Sequence, residues 1–143
     1  MMKEKTLRDI GEFECIHRVA HDLIYRPELV KLGAGDDGAV FITPCGYDEV
    51  ISTDTMVEGI HFTKRTMSAA DTGYHLCAVN FSDMAAMGAE PVSFVISAAL
   101  PGDLSITWIE SCYDGIRECC REHSVNLCLL YTSPSPRDGL LSR

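Results

Sequence analysis

Val92-Ser93-Phe94-Val95-Ile96-Ser97-Ala98-Ala99-Leu100 is the stretch that decides the fold. This near-continuous apolar run, with Pro91 before it and the turn residues Pro101-Gly102-Asp103 after it, reads as a strand buried on both faces. Its flanks are helical. Upstream, Ser68 followed three residues on by Asp71 has the form of a helix N-cap with an acidic first turn. That helix is expected to run to about Met87 and to stop at Gly88, with Pro91 beyond. Downstream, a helix from Ser105 carries Ile109, Cys112, Tyr113, Ile116 and Cys119-Cys120 at steps of three and four on one face. Val125-Asn126-Leu127 then opens a further strand. Helix, strand, helix, strand is the order of an α/β (α+β) domain.

Outward from this centre the chain is more irregular. Leu7, Ile10, Phe13, Ile16, Val19 and Leu23 mark one apolar helical face over about residues 5–24, interrupted by Gly11 and followed by Pro27. The loop Leu32-Gly33-Ala34-Gly35-Asp36-Asp37-Gly38 leads to a short strand, Ala39-Val40-Phe41-Ile42. Pro44 to Asp48 supplies turn residues and Glu49 to Thr53 reads as a second strand, so the two are expected to pair as a hairpin. At the other end, the run from Leu129 to Asp138 has no periodicity, and Pro134 and Pro136 disfavour a central strand. Residues 128–143 therefore read as a tail outside a domain spanning 1–127.

The whole is 143 residues, 46% apolar and 23% charged, with a formal net charge of −9. That length and composition fit one globular domain. The acidic balance argues against nucleic-acid or anionic-membrane partners and is compatible with recruiting cations. Seven cysteines without a Cys-x-x-Cys pair read as reduced core thiols of a cytoplasmic protein. No apolar run approaches the roughly 18 residues of a membrane span.

Chemistry concentrates in Ile51-Ser52-Thr53-Asp54-Thr55-Met56-Val57-Glu58-Gly59-Ile60-His61-Phe62, where a β-prone lead-in delivers hydroxyls, a carboxylate and a histidine. Gly33-x-Gly35-x-x-Gly38 matches the spacing of a dinucleotide fingerprint, but a strand-like run follows where that motif needs a helix. Asp36-Asp37 has the alternative of a solvated turn, and Asp54 that of a strand-end or N-cap carboxylate. Asp83 is expected mid-helix in apolar surroundings, with Asn80 one turn before it on the same face, a setting that calls for a partner or a cation. Acidic sites on separate elements have one common solution, convergence on Mg²⁺ with Ser52 and Thr53 adding oxygens, as in phosphoryl transfer. His61 is left among three readings: metal ligand, substrate contact or packed histidine.

Gly35-Asp36-Asp37-Gly38-Ala39-Val40, the Ile51–Phe62 stretch and Ala78-Val79-Asn80-Phe81-Ser82-Asp83-Met84-Ala85-Ala86-Met87-Gly88-Ala89-Glu90-Pro91 together closely resemble the thiamine-monophosphate kinase family, over about residues 11–127. The resemblance implies the N-terminal mixed-sheet domain of the aminoimidazole-ribonucleotide synthetase-like fold, with helices packed on one face. It implies transfer of the γ-phosphoryl of ATP to thiamine monophosphate with Mg²⁺, in a homodimer formed through this domain. By motif position it implies Asp37, Ser52, Thr53, Asp54 and Asp83 as metal ligands, His61 as a substrate contact and Tyr113 as a nucleotide contact. The family's Gly-Gly-Asp-Thr motif is expected after Leu127, where Cys128-Leu129-Leu130 stands instead. The expectation is thus of an incomplete ATP/Mg²⁺-binding domain over 1–127, truncated and inactive alone, with a non-native or disordered tail over 128–143. A related ATP-dependent synthetase and a non-catalytic metal- or nucleotide-binding module are the alternatives.

Overall fold

A computed structural model describes residues 4–33 and 38–134, the stretch 129–134 by its backbone alone. Helix α1, Leu7–Val19, starts at Thr6, whose main-chain N–H and hydroxyl both donate to the Asp9 carboxylate. Gly11 leaves helical geometry at φ 77°, so α1 is two helical pieces joined at a kink. The helix ends at Val19 rather than near residue 24. Arg117 reaches across to donate to the main-chain carbonyls of Val19 and His21, satisfying groups the helix end leaves open. A 3₁₀ turn, Pro27–Leu29, then leads into strand β1, Val30–Leu32.

β2 is only Val40–Phe41, and it pairs antiparallel with β1, not with Glu49–Thr53. The expected hairpin is therefore corrected: residues 49–53 form no strand. Ile51 is 84% exposed, so that segment buries no apolar face that would hold it in a sheet. Its main-chain bonding goes to the next helix instead, as described below.

Helix α2, Ala69–Ala86, begins and ends where its residues dictate. The Ser68 hydroxyl accepts from the Asp71 amide at 3.1 Å, and the Ser68 amide and hydroxyl donate back to the Asp71 carboxylate. At the other end Gly88 takes φ 67°, its amide donates to Ala85 O, and the Ala89 amide donates to Met84 O. This is the paired-bond stop that glycine makes possible. Strand β3, Ser93–Leu100, follows, then helix α3, Ile106–His123, capped by Ser105, whose hydroxyl accepts from the Trp108 amide.

Strand β4, Asn126–Pro134, runs parallel to β3, making a β3–α3–β4 crossover unit. Sequence patterning ended the domain at Leu127, but the strand continues in register to Pro134, opposite Leu100. Proline is tolerated at that terminal position, where the ladder needs no further donor. A register shift sets Phe94 opposite Leu127 and Val95 opposite Leu129, leaving Cys128 as the extra residue, with its thiol 3.4 Å from the Ser93 hydroxyl. Antiparallel and parallel pairing both occur, as a mixed sheet requires, but among the described residues they form two separate two-stranded sheets.

The core lies between α1, α2, α3 and one face of β3–β4. Phe94, Ile96, Ala98 and Leu100 of β3 pack against Ile109, Tyr113, Ile116, Val19, Val125 and Leu127. The opposite face is open: Val95 is 61% exposed and Ser97 and Ala99 are exposed too. The expectation of a strand buried on both faces is corrected to one buried face. Asn126 is fully buried, and its Oδ1 accepts from the Tyr25 and Arg26 amides at 2.8 and 2.7 Å, tying the segment after α1 to β4.

Candidate functional site

Residues 51–57 are an irregular, mostly exposed segment that leans on the C-terminal half of α2, and 58–62 close a turn. Among the described residues, two hydrogen bonds hold the segment there. The Ser52 hydroxyl donates to Asp83 Oδ2 at 3.2 Å. The Asp54 main-chain amide donates to Asn80 Oδ1 at 3.1 Å. Asn80 and Asp83 are three residues apart on one helix face, so they present an acceptor each to a strand-like segment running past them. The Asp54 carboxylate turns back on its own chain, with Oδ1 accepting from the Thr55 amide at 2.6 Å.

Asp83 is exposed, in the last turn of α2. Apolar neighbours in sequence do not make an apolar setting here, because Met84, Ala85 and Ala86 wrap around the helix while Asp83 faces outward. The argument that its charge needs a cation to repay burial therefore falls. What remains is its juxtaposition with Ser52. Ser52, Thr53 and Asp54 are likewise exposed. Asp37 and Asp36 lie outside the described residues. Among the described residues, no three His, Cys, Asp or Glu side chains converge closely enough to hold a metal ion by themselves.

His61 closes a small loop. Its Nδ1 accepts from the Val57 amide at 2.9 Å, the His61 amide donates to Val57 O, and the Gly59 amide donates to Phe62 O with Gly59 at φ 85°. His61 is exposed, which removes the packed-histidine reading. An Nδ1 that accepts a hydrogen bond puts the proton of the neutral ring on Nε2. The outward nitrogen is then a donor, suited to an oxygen of a ligand and not to a metal. Nearby, the Lys64 ammonium lies 5.7 Å from the centre of the Trp108 ring and 4.0 Å from the Glu58 carboxylate.

Tyr113 is not brought to this site. It is 3% exposed in the core, its hydroxyl has no hydrogen-bond partner among the described residues, and burial pushes its ionisation far up. Its side chain packs in the core, and a nucleotide contact at Tyr113 rests on the family resemblance alone. Its place in the apolar face of α3, which the periodicity already showed, was the signal for that packing. Asn80, to which the sequence assigns no role, is the residue that meets the Asp54 main chain. The available signal was its spacing from Asp83.

The family model described as "AIR synthase related protein, N-terminal domain" matches residues 35–138. A thiamine-monophosphate kinase of Synechococcus elongatus is 40% identical over 93 residues, 65% of this chain and 28% of that protein. A thiamine-monophosphate kinase of Bacillus subtilis is 36% identical over 118 residues, 82% of this chain and 36% of that protein. The crystal structure of thiamine monophosphate kinase from Aquifex aeolicus superposes with a TM-score of 0.52 at 32% identity, covering 55% of this chain and 27% of that one. The chain spans about a third of the length of the curated relatives it matches. With the family model covering most of its length and a solved relative sharing its fold, the chain belongs to the AIR synthase related family, of which it carries the N-terminal domain.

Proposed function

We propose that this chain supplies the phosphate- and metal-binding part of a kinase that transfers the γ-phosphoryl of ATP to thiamine monophosphate, yielding thiamine diphosphate. The observation that carries the reading is the docking of Ser52-Thr53-Asp54 onto Asn80 and Asp83. It sets hydroxyl and carboxylate oxygens from two separate elements side by side, within the residues 35–138 that the family model matches.

The donor set fits Mg²⁺. Ser52, Thr53, Asp54 and Asp83 offer only oxygen, the hard donor that this ion selects, and all four are exposed to a site open for phosphate and water. In the proposed site these four and Asp37 hold the ion. Bound there, Mg²⁺ supplies neutralisation of the charge on the transferring phosphate. The chain's own contribution is position. Asn80 and Asp83 anchor the oxygen-bearing segment to a rigid helix, and His61 Nε2–H donates to the thiamine monophosphate. A phosphate acceptor already ionised at neutral pH needs no general base.

The proposed enzyme is a cytoplasmic homodimer. Seven free cysteines support a reducing compartment. The open face of β3 with Val95, together with exposed Leu32, Val40, Phe41 and Ile42, supports a partner surface. The test is a chimaera in which this chain replaces the matching segment of the Bacillus subtilis relative. Mg²⁺-dependent conversion of thiamine monophosphate to thiamine diphosphate is expected. A folded chimaera without that activity overturns the reading.

A further inference from the structure

We infer that Asn80 is a positioning residue of this site: its amide clamps the main chain at Asp54, and so aims the Ser52-Thr53-Asp54 segment. Its purpose rests on the kinase reading; its geometry does not. Asn80 Nδ2 donates to Leu76 O one turn back in α2 at 2.8 Å. That bond sets the orientation of the amide, because only the nitrogen can serve a carbonyl. Oδ1 is thereby turned outward, and it accepts from the Asp54 N–H at 3.1 Å. The helix backbone, through Leu76, thus dictates where the Asp54 main chain sits.

The clamp matters because little else holds the segment. Residues 49–57 form no strand, and Ile51, Ser52, Thr53, Asp54 and Thr55 are all exposed. Ser52 meets Asp83 through a single hydroxyl–carboxylate bond. That bond engages a carboxylate assigned to the metal, so it competes with ligation. The Asn80 bond engages no candidate ligand side chain, since it takes only the main-chain amide of Asp54. It can therefore persist while Ser52, Asp54 and Asp83 turn to a cation. A side chain that fixes a ligand-bearing segment without ligating is the usual support of a preorganised site.

The test uses the full ¹⁵N-labelled chain, with amide exchange as one readout and Mn²⁺, a paramagnetic stand-in for Mg²⁺, as the other. In Asn80→Ala, exchange at the Asp54 amide is expected to accelerate about tenfold, the scale of one hydrogen bond, while Gly73 and Cys77 in α2 keep their protection. Asn80→Asp keeps an acceptor for Asp54 and loses the donor to Leu76, so protection at Asp54 is expected to survive in it. Mn²⁺ is expected to broaden Ser52, Thr53, Asp54 and Asp83 in the unsubstituted chain, and to bind about tenfold more weakly to Asn80→Ala. Unchanged exchange at Asp54 in Asn80→Ala, acceleration spread evenly along α2, or Mn²⁺ affinity unaltered by the substitution each overturns the positioning role. Failure of Mn²⁺ to broaden these residues in the unsubstituted chain overturns the metal-site reading instead, and the exchange result separates the two.

Discussion

Gly115 of α3 lies directly against the backbone of Ala70 in α2: a methyl group at position 115 would fall 1.9 Å from the Ala70 carbonyl oxygen. The contact is reciprocated one turn along, where a methyl at Gly73 would fall 1.8 Å from Cys112 O. The two helices touch through main chain, and this crossing holds α2, and with it Asn80 and Asp83, in place on the core. Gly115→Ala is expected to destabilise the fold by about 3 kcal/mol or more, since backbone cannot yield as a side chain can. Urea denaturation measures it, and a loss under about 1 kcal/mol would show that the helices separate cheaply.

Asp54→Asn, made in the chimaera, removes a full charge from the proposed metal site while keeping shape and the main-chain bond to Asn80. Mg²⁺-dependent phosphoryl transfer is expected to fall by about a hundredfold or more. Near-normal turnover in a steady-state assay would sink the assignment of Asp54.

Asn126→Ala removes the buried acceptor that serves the half-buried Tyr25 and Arg26 amides. The cost is expected to be about 1–2 kcal/mol, because two amides at half-buried residues lose their acceptor. Amide exchange at Tyr25 and Arg26 should rise well above that of α3. Equal protection in the variant would mean that another acceptor takes over.

Ser68→Ala removes the hydroxyl that accepts from the Asp71 amide and donates to its carboxylate, and leaves only the main-chain N–H bond at position 68 to Asp71. The expected loss is about 1 kcal/mol, read as a lower urea midpoint. Asp71→Asn, which weakens only the return bonds, should cost less. The reverse ranking would contradict the cap geometry.

The thiols separate by burial. Cys45 is exposed, whereas Cys15, Cys77, Cys119, Cys120 and Cys128 are buried and Cys112 is half-buried. Burial pushes Cys112 up to about 12, and burial with the neighbouring Cys120 pushes Cys119 up to about 11, from an ordinary 9. Cys77 is raised as well, by its hydrogen bond to Cys120 and by burial. Ionisation is thus easier in the unfolded chain than in the folded one. Stability from these groups is fully present below pH 9 and declines as pH rises from there toward the folded values. A thiol reagent at pH 8 should label Cys45 first and the buried set only on unfolding. Rapid labelling of Cys77 or Cys120 in the folded chain would contradict their burial.

Helix α2 and the start of α3 could be read almost to the residue, because what starts and stops them is local. Ser68 and Asp71 answer each other within one turn, and Gly88 supplies the positive φ that ends α2. The hairpin of 39–42 with 49–53 was misread for the opposite reason. A two-residue strand such as Val40–Phe41 carries no mark of its partner, and β1, earlier in the chain, takes the edge. The extent of β4 was not legible because pairing with β3, which is remote in sequence, carries the strand past Leu127 where its own residues show no alternation.

For the site, the residue types and their order were legible in the chain: hydroxyls and a carboxylate at 52–54, a histidine at 61, an asparagine and an aspartate one turn apart at 80 and 83. Hard oxygen donors in those motifs point to phosphate chemistry whatever the fold. Only the tertiary structure decided which of them meet. Asn80 and Asp83 become anchors because α2, pressed on α3 through Gly73 and Gly115, turns that face toward the 51–62 segment. Tyr113 becomes core because the same packing encloses its face of α3. Local bonding specifies elements, whereas burial and approach depend on surfaces that only the folded chain brings together.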